Sequence, residues 1–171
     1  MLQKQLTVVL GMGAALALLL LAWWRLPGLP LPLPDADDAA ARIAFVAHWL
    51  LLPGLALFFG VGLVANQRFF VADAIDGGPS ESRLIQVALR YNTNTVEQCL
   101  LAAIAWLGLA LALSHEQLKL IPAMAVSFLV GRILFFIGYL IAPTGRALGL
   151  GLTAYPTFAA LIWLAWRMIA H

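Results

Sequence analysis

LIQVALRYNTNTVEQCLLAAIAWLGLALALS, residues 84–114, is dominated by Leu, Ala, Val and Ile, yet it carries Arg90, Asn94 and Glu97 in its first half. It is longer than the roughly 20 apolar residues a helix needs to cross a hydrocarbon layer. At 100° per residue, Arg90, Asn94 and Glu97 fall at about 0°, 40° and −20°, so they project from one helix face. The rise from Arg90 to Glu97 is about 10 Å, or two turns. An ionisable group inside a span costs roughly 2.5–3.5 kcal/mol on insertion scales and marks either function or a paired interior. The stretch therefore reads as a membrane helix with a polar face toward one end.

The rest of the chain agrees. Of 171 residues, 63% are hydrophobic and 11% charged, less than half of the roughly 25% charged residues of an ordinary globular protein. That excludes a soluble enzyme, a disordered tail and a typical nucleic-acid binder, and a net charge of +2 is too small to imply a nucleic-acid partner. The single cysteine, Cys99, excludes a disulfide framework, and no His or Cys cluster supports a metal site. The expected partner is the lipid bilayer. Five spans are expected: residues 6–24, 44–65, 84–114, 118–142 and 147–166. The first is read as an uncleaved helix, because it is long for a signal-peptide core and no small-residue cleavage site follows. The alternating prolines of 27–42 forbid a regular helix there, and Asp37 or Asp38 is expected to cap the next helix. Residues 73–82 form a second linker, and Pro143-Thr144-Gly145 a tight turn.

A second polar face follows on the fourth span. Arg132, Phe135, Phe136 and Tyr139 stand at i, i+3, i+4 and i+7, and Arg146 lies seven residues further on. Both faces open to the same membrane side, which also holds Lys4, Arg68 and Arg83. Six Lys and Arg there face four on the other side, Arg25, Arg42, Lys119 and Arg167, so the N-terminus is placed in the cytoplasm. Three arginines, a carboxylate, an amide and a phenol suit an anion that also carries amino or amide groups. The bland alternatives are an Arg–Glu pair that only holds helices in register, and arginines that snorkel to headgroups.

The stretch Arg90-Tyr-Asn-Thr-Asn94-Thr-Val-Glu97 resembles the Arg-x-x-x-Asn-x-x-Glu signature of the MAPEG family, the membrane-associated proteins in eicosanoid and glutathione metabolism. Arg132 to Tyr139, with Arg146 downstream, is similar to that family's third-helix signature; the two motifs stand about 40 residues apart on consecutive spans. The resemblance implies an all-α integral membrane protein, a four-helix bundle over 43–171. An extra N-terminal helix (1–26) and the Pro/Asp-rich linker (27–42) precede it. It also implies a homotrimer with glutathione sites between subunits. By the same resemblance Arg90, Asn94, Glu97 and Tyr139 hold glutathione as co-substrate, and Arg146 is the catalytic residue that favours the thiolate; Arg132, on the same polar face as Tyr139, is counted with the substrate-binding residues. The implied activity is transfer of glutathione or another low-molecular-weight thiol to lipophilic electrophiles, or peroxide reduction, in a bacterial inner membrane. Gln98 and Phe135 stand where enzymes of the family carry tyrosines, which removes two hydroxyl donors. The alternative is a non-catalytic protein that binds a lipid or anionic metabolite in the same pocket.

Of the remaining residues, His48 is expected as a hydrogen-bonded core histidine and Cys99 as a packing residue. Pro53, Pro122 and Pro156 are expected to kink their helices or be absorbed by neighbours. Gly60, Gly62, Gly149 and Gly151 are read as points of close helix approach, with a weak bearing on oligomer contacts. Tryptophans at span ends form an interfacial belt.

Overall fold

All five expected spans are helical in the computed structural model, which describes residues 1–28, 30–35, 38–70 and 82–170. In chain order the helices are α1 (Leu2–Arg25), α2 (Ala39–Trp49), α3 (Leu51–Phe70), α4 (Arg83–Ala112), α5 (Leu120–Ile141) and α6 (Ala147–Ala170). Together α2 and α3 make one long span, broken only at Leu50. The cause is Pro53, which has no N–H to offer the carbonyl of Trp49, four residues back. Pro122 sits in the first turn of α5, where a missing N–H costs little. Pro156 lies inside α6, where Thr157 turns its hydroxyl onto the carbonyl of Thr153 (3.1 Å). The expected linker 73–82 lies, apart from Ser82, outside the described residues.

Asp38 caps α2 as expected: one carboxylate oxygen accepts from the backbone N–H of Ala40 (2.8 Å) and Ala41 (3.2 Å), satisfying donors that the helix itself leaves free. Asp38→Ala is expected to cost about 1 kcal/mol, lowering the thermal midpoint in detergent by about 2–4 °C. An unchanged midpoint would show that the cap contributes nothing.

With no water to compete, membrane helices associate through close backbone approach at small residues. Here α1 is seated on α6 by such a pair of faces. A methyl group built on Gly11 would come within 3.0 Å of the Ala147 side chain, and one on Gly151 within 2.6 Å of the Ala15 side chain. Contact between α5 and α6 is closer still, backbone to backbone, at Gly131 against Gly149, and Gly138 of α5 meets Gly145 in the turn that precedes α6. Gly60 on α3 leaves room for Tyr91 and Asn92 of α4, whereas Gly62 faces open space. Three of the four glycines read from sequence are thus used within the chain. The core toward the far end is apolar: Trp106 meets Phe128 edge-on at 6.4 Å, among Ala102, Ala105, Leu109 and Ile121.

Helix C-termini are finished by arginines from other segments. Arg42 donates to the carbonyls of Ala110 and Leu113 (both 3.0 Å), and Arg167 to that of Ala112 (2.7 Å), closing the end of α4. Arg83 does the same for α5 through Leu140 (2.7 Å) and Ile141 (3.3 Å). Each places a cation on the negative end of a helix and satisfies carbonyls the helix leaves free.

His48 departs from its expected place. It is exposed, and among the described residues its ring meets only that of Trp49, edge-on at 5.8 Å. On α2 the inward position belongs to Val46, and two residues further on a helix points away by about 200°. Cys99 is half-buried, its thiol donating to the Pro53 carbonyl (3.4 Å), as befits a packing residue.

Candidate functional site

The polar faces of α4 and α5 meet. Asn94 Oδ1 accepts from Arg132 (2.8 Å), and Asn94 Nδ2 donates to Glu97 (3.4 Å). One turn nearer the membrane surface, Arg90 donates to the Tyr139 hydroxyl (2.7 Å). The Arg146 guanidinium lies 4.8 Å from the centre of the same phenol ring. These six residues, separated by up to 56 positions in sequence, form two groups, Glu97–Asn94–Arg132 and Arg90–Tyr139–Arg146. Phe135, which meets both Arg132 (4.7 Å) and the Tyr139 ring (5.9 Å), joins them into one chain of contacts at the end of the bundle that α4 enters and α5 leaves.

Arg132 differs from the others. It is wholly buried, 0% exposed, so it does not snorkel. Its second donor reaches Thr153 on α6 (2.5 Å), and its charge lies over Phe135 (4.7 Å) and Phe128 (5.6 Å). No carboxylate pairs with it among the described residues, and its Nε has no partner. A buried cation held only by an amide, a hydroxyl and two ring faces is incompletely compensated, and a nearby anion would complete it.

The remaining polar groups line the rim. Arg90, Glu97 and Arg146 are exposed at the surface of the chain, whereas Tyr139 is only 3% exposed. Arg90 bonds Tyr139, not Glu97, so the register-holding Arg90–Glu97 pair is not formed. An aromatic shell fixes the floor. Tyr91 meets Phe59, Phe135 and Phe136 edge-on at centroid distances of 6.2, 6.1 and 5.6 Å, and donates its hydroxyl to the Ala56 carbonyl (3.0 Å). Phe135 also meets the Tyr139 ring at 5.9 Å. This shell packs against the phenol ring that both arginines touch.

Thr153 escaped the sequence reading. Its only signal was a hydroxyl in an otherwise apolar, glycine-rich stretch, and hydroxyls in membrane helices ordinarily bond their own backbone. Thr153 does that too, to Leu150 (2.9 Å), while accepting from Arg132. Gln98 turns inward and is buried, on a different side of α4 from exposed Glu97. Arg68 is half-buried, its Nε without a partner among the described residues, and takes no part in the contact chain.

The family model described as MAPEG family matches residues 45–167, which is most of the chain and includes every residue of the contact chain. The chain belongs to the MAPEG family. Among curated proteins, this MAPEG chain is similar to Transmembrane protein 79 of Bos taurus, 22% identical over 162 residues, covering 94% of the chain and 41% of that protein. It is also similar to Transmembrane protein 79 of Mus musculus, 21% identical over 140 residues, covering 82% of the chain and 36% of that protein. The chain spans about two fifths of the length of these relatives. With 94% of the chain covered, the bovine match takes in most of α1, which the MAPEG model leaves out. No solved structure matches.

Proposed function

We propose that this MAPEG chain binds glutathione, or another low-molecular-weight thiol carrying carboxylates, and presents its sulfur to electrophiles dissolved in the membrane. The observation that carries the reading is the pair of guanidinium groups, Arg90 and Arg146, brought onto one phenol, Tyr139. Arg90 and the incompletely compensated Arg132 would take carboxylates through charge-assisted hydrogen bonds, and Glu97 an ammonium group. The Tyr139 hydroxyl accepts from Arg90, which leaves its own proton free to donate. Arg146 is the catalytic residue of the proposal. A free thiol has a pKa of about 8.5, and an adjacent guanidinium favours its anion. That anion attacks the electrophilic carbon, a carbon–sulfur bond forms, and the leaving group departs with the bonding electrons.

The site is completed by a second subunit in this proposal. Val96 (51% exposed), Leu100 (62%), Ile104 (55%) and Leu111 (59%) form an outward stripe along α4, with exposed Glu97 beside it. A carboxylate facing acyl chains is expensive, and packing α4 against its copies in a homotrimer would bring Glu97 into a polar interface. The preference for Lys and Arg on the site's side supports a cytoplasmic location for it, in a bacterial inner membrane.

Purified protein is assayed with glutathione and 1-chloro-2,4-dinitrobenzene, following thioether formation. Wild type is expected to turn over, and Arg146→Ala to lose about 100–1,000-fold, the order observed when one group that stabilises a developing anion is removed. Absence of turnover would sink the enzymatic reading. A second reading, a non-catalytic binder of a lipid or anionic metabolite, is favoured by Phe135, which places no hydroxyl beside Tyr139. Stabilisation against heat by lipids but not by glutathione would select it.

A further inference from the structure

A cavity of about 510 Å³ lies between α1, the start of α5 and the second half of α6. None of the six residues of the polar site lines it. Its volume falls in the range of about 300–1,000 Å³ typical of small-molecule sites. Helix α1 rests on α6 at Gly11 and Ala15; further along, Leu19 and Trp23 wall the cavity instead, opposite Met124 and Trp163. The extra N-terminal helix thus creates a chamber that the matched region 45–167 does not enclose by itself.

Three polar side chains interrupt the apolar lining, Gln117 just before α5, Ser127 on α5 and Tyr155 on α6. Gln117 is at the end of the bundle, its Oε1 accepting from the Ser114 backbone N–H (3.1 Å), which leaves the two hydroxyls as the polar groups deeper in the cavity. No hydrogen bond ties either hydroxyl to another described residue. Ser127 lies about 10 Å along α5 from Leu120, and Tyr155 about 12 Å along α6 from Ala147, at the opposite end of the bundle. Both therefore stand well inside a hydrocarbon layer about 30 Å thick, where an orphan hydroxyl is costly. The ester oxygens of phospholipids and the hydroxyl of sterols stay at the interface and do not reach this depth. An uncharged ring carrying carbonyl oxygens does, because no ion has to be desolvated.

We propose that this cavity binds a quinone-type lipid, its ring carbonyls accepting from Tyr155 and Ser127 and its apolar tail lying along Leu19 and Met124. The full chain in phosphatidylcholine vesicles is titrated with decyl-substituted benzoquinone, following quenching of tryptophan fluorescence and the thermal midpoint. Quenching is expected to saturate and the midpoint to rise. Tyr155→Phe combined with Ser127→Ala is expected to weaken binding about tenfold, the scale of two ordinary hydrogen bonds. Ala123→Phe, on the cavity wall, is expected to abolish it. Unsaturable quenching overturns the proposal, as does equal affinity in the Tyr155→Phe and Ser127→Ala double variant. So does cholesterol raising the midpoint as far as the quinone does. Because Tyr155→Phe removes one oxygen and no volume, loss of fold does not obscure the result.

Discussion

Gly149→Val is expected to lower the thermal midpoint in detergent by more than about 10 °C and to abolish glutathione binding together with the fold around Arg132. Any side chain at this position meets backbone: a methyl group on Gly149 would overlap the Phe135 nitrogen and the Gly131 carbonyl of α5. Neither neighbour is a flexible tip that can swing aside, so the two helices must separate. Overpacking of this kind costs about 1–3 kcal/mol. Separation also breaks the Arg132–Thr153 hydrogen bond, and a bond to a charged group contributes about 1.5–3 kcal/mol. At about 2–4 °C per kcal/mol for a chain of this size, the sum accounts for the expected shift. Gly62→Ala is the control: nothing lies within 4 Å of a methyl group there, and alanine is the better helix former, so its midpoint should hold or rise slightly. Midpoints measured by circular dichroism decide it, and a Gly149→Val protein within 2 °C of wild type would contradict the packing described for α5 and α6.

Asn94→Leu should have the second large effect, of about 3 kcal/mol, because it strips Arg132 of one of its two hydrogen-bonded partners while leaving the guanidinium buried. The same change removes the only hydrogen-bond donor to Glu97 among the described residues, so it should loosen the rim as well as the floor. A double variant, Asn94→Leu with Arg132→Met, should regain most of the lost stability, since an apolar pair of similar volume needs no compensation. It should not regain glutathione binding. A double-mutant cycle on thermal midpoints isolates the coupling; if the two losses simply add, Asn94 and Arg132 are not partners in the way their 2.8 Å contact implies.

Much of this was legible in the sequence, and for a physical reason. A hydrocarbon solvent admits little besides apolar helix, so span length and the few charges allowed inside fix where α1 to α6 run. The one break missed, at Leu50, needed the knowledge that Trp49's orphan carbonyl would be left to a turn instead of a kink. On the site, helical spacing placed Arg90, Asn94 and Glu97 on one side of α4 and Arg132 and Tyr139 on one side of α5. Which of them pair was not legible, because that depends on how α4 and α5 are shifted along each other. The pairing is Arg90 with Tyr139 and Asn94 with Arg132, leaving Glu97 at the surface. His48 went astray for a related reason: polarity alone does not say whether a residue on a short helix faces neighbours or acyl chains. Thr153 and the chamber under α1 belong to helices with almost no polar pattern, so only their packing reveals them.

The arginines that close α4 have a bearing on how the protein is made. Arg42 leaves the ribosome before α4 exists, and Arg167 is translated long after it. The end of α4 is thus half finished when it enters the bilayer and stays so until the last residues of α6 arrive. A chain cut short before that point leaves the Ala112 carbonyl without its side-chain donor, and the end of α4 frays more readily for the lack of it.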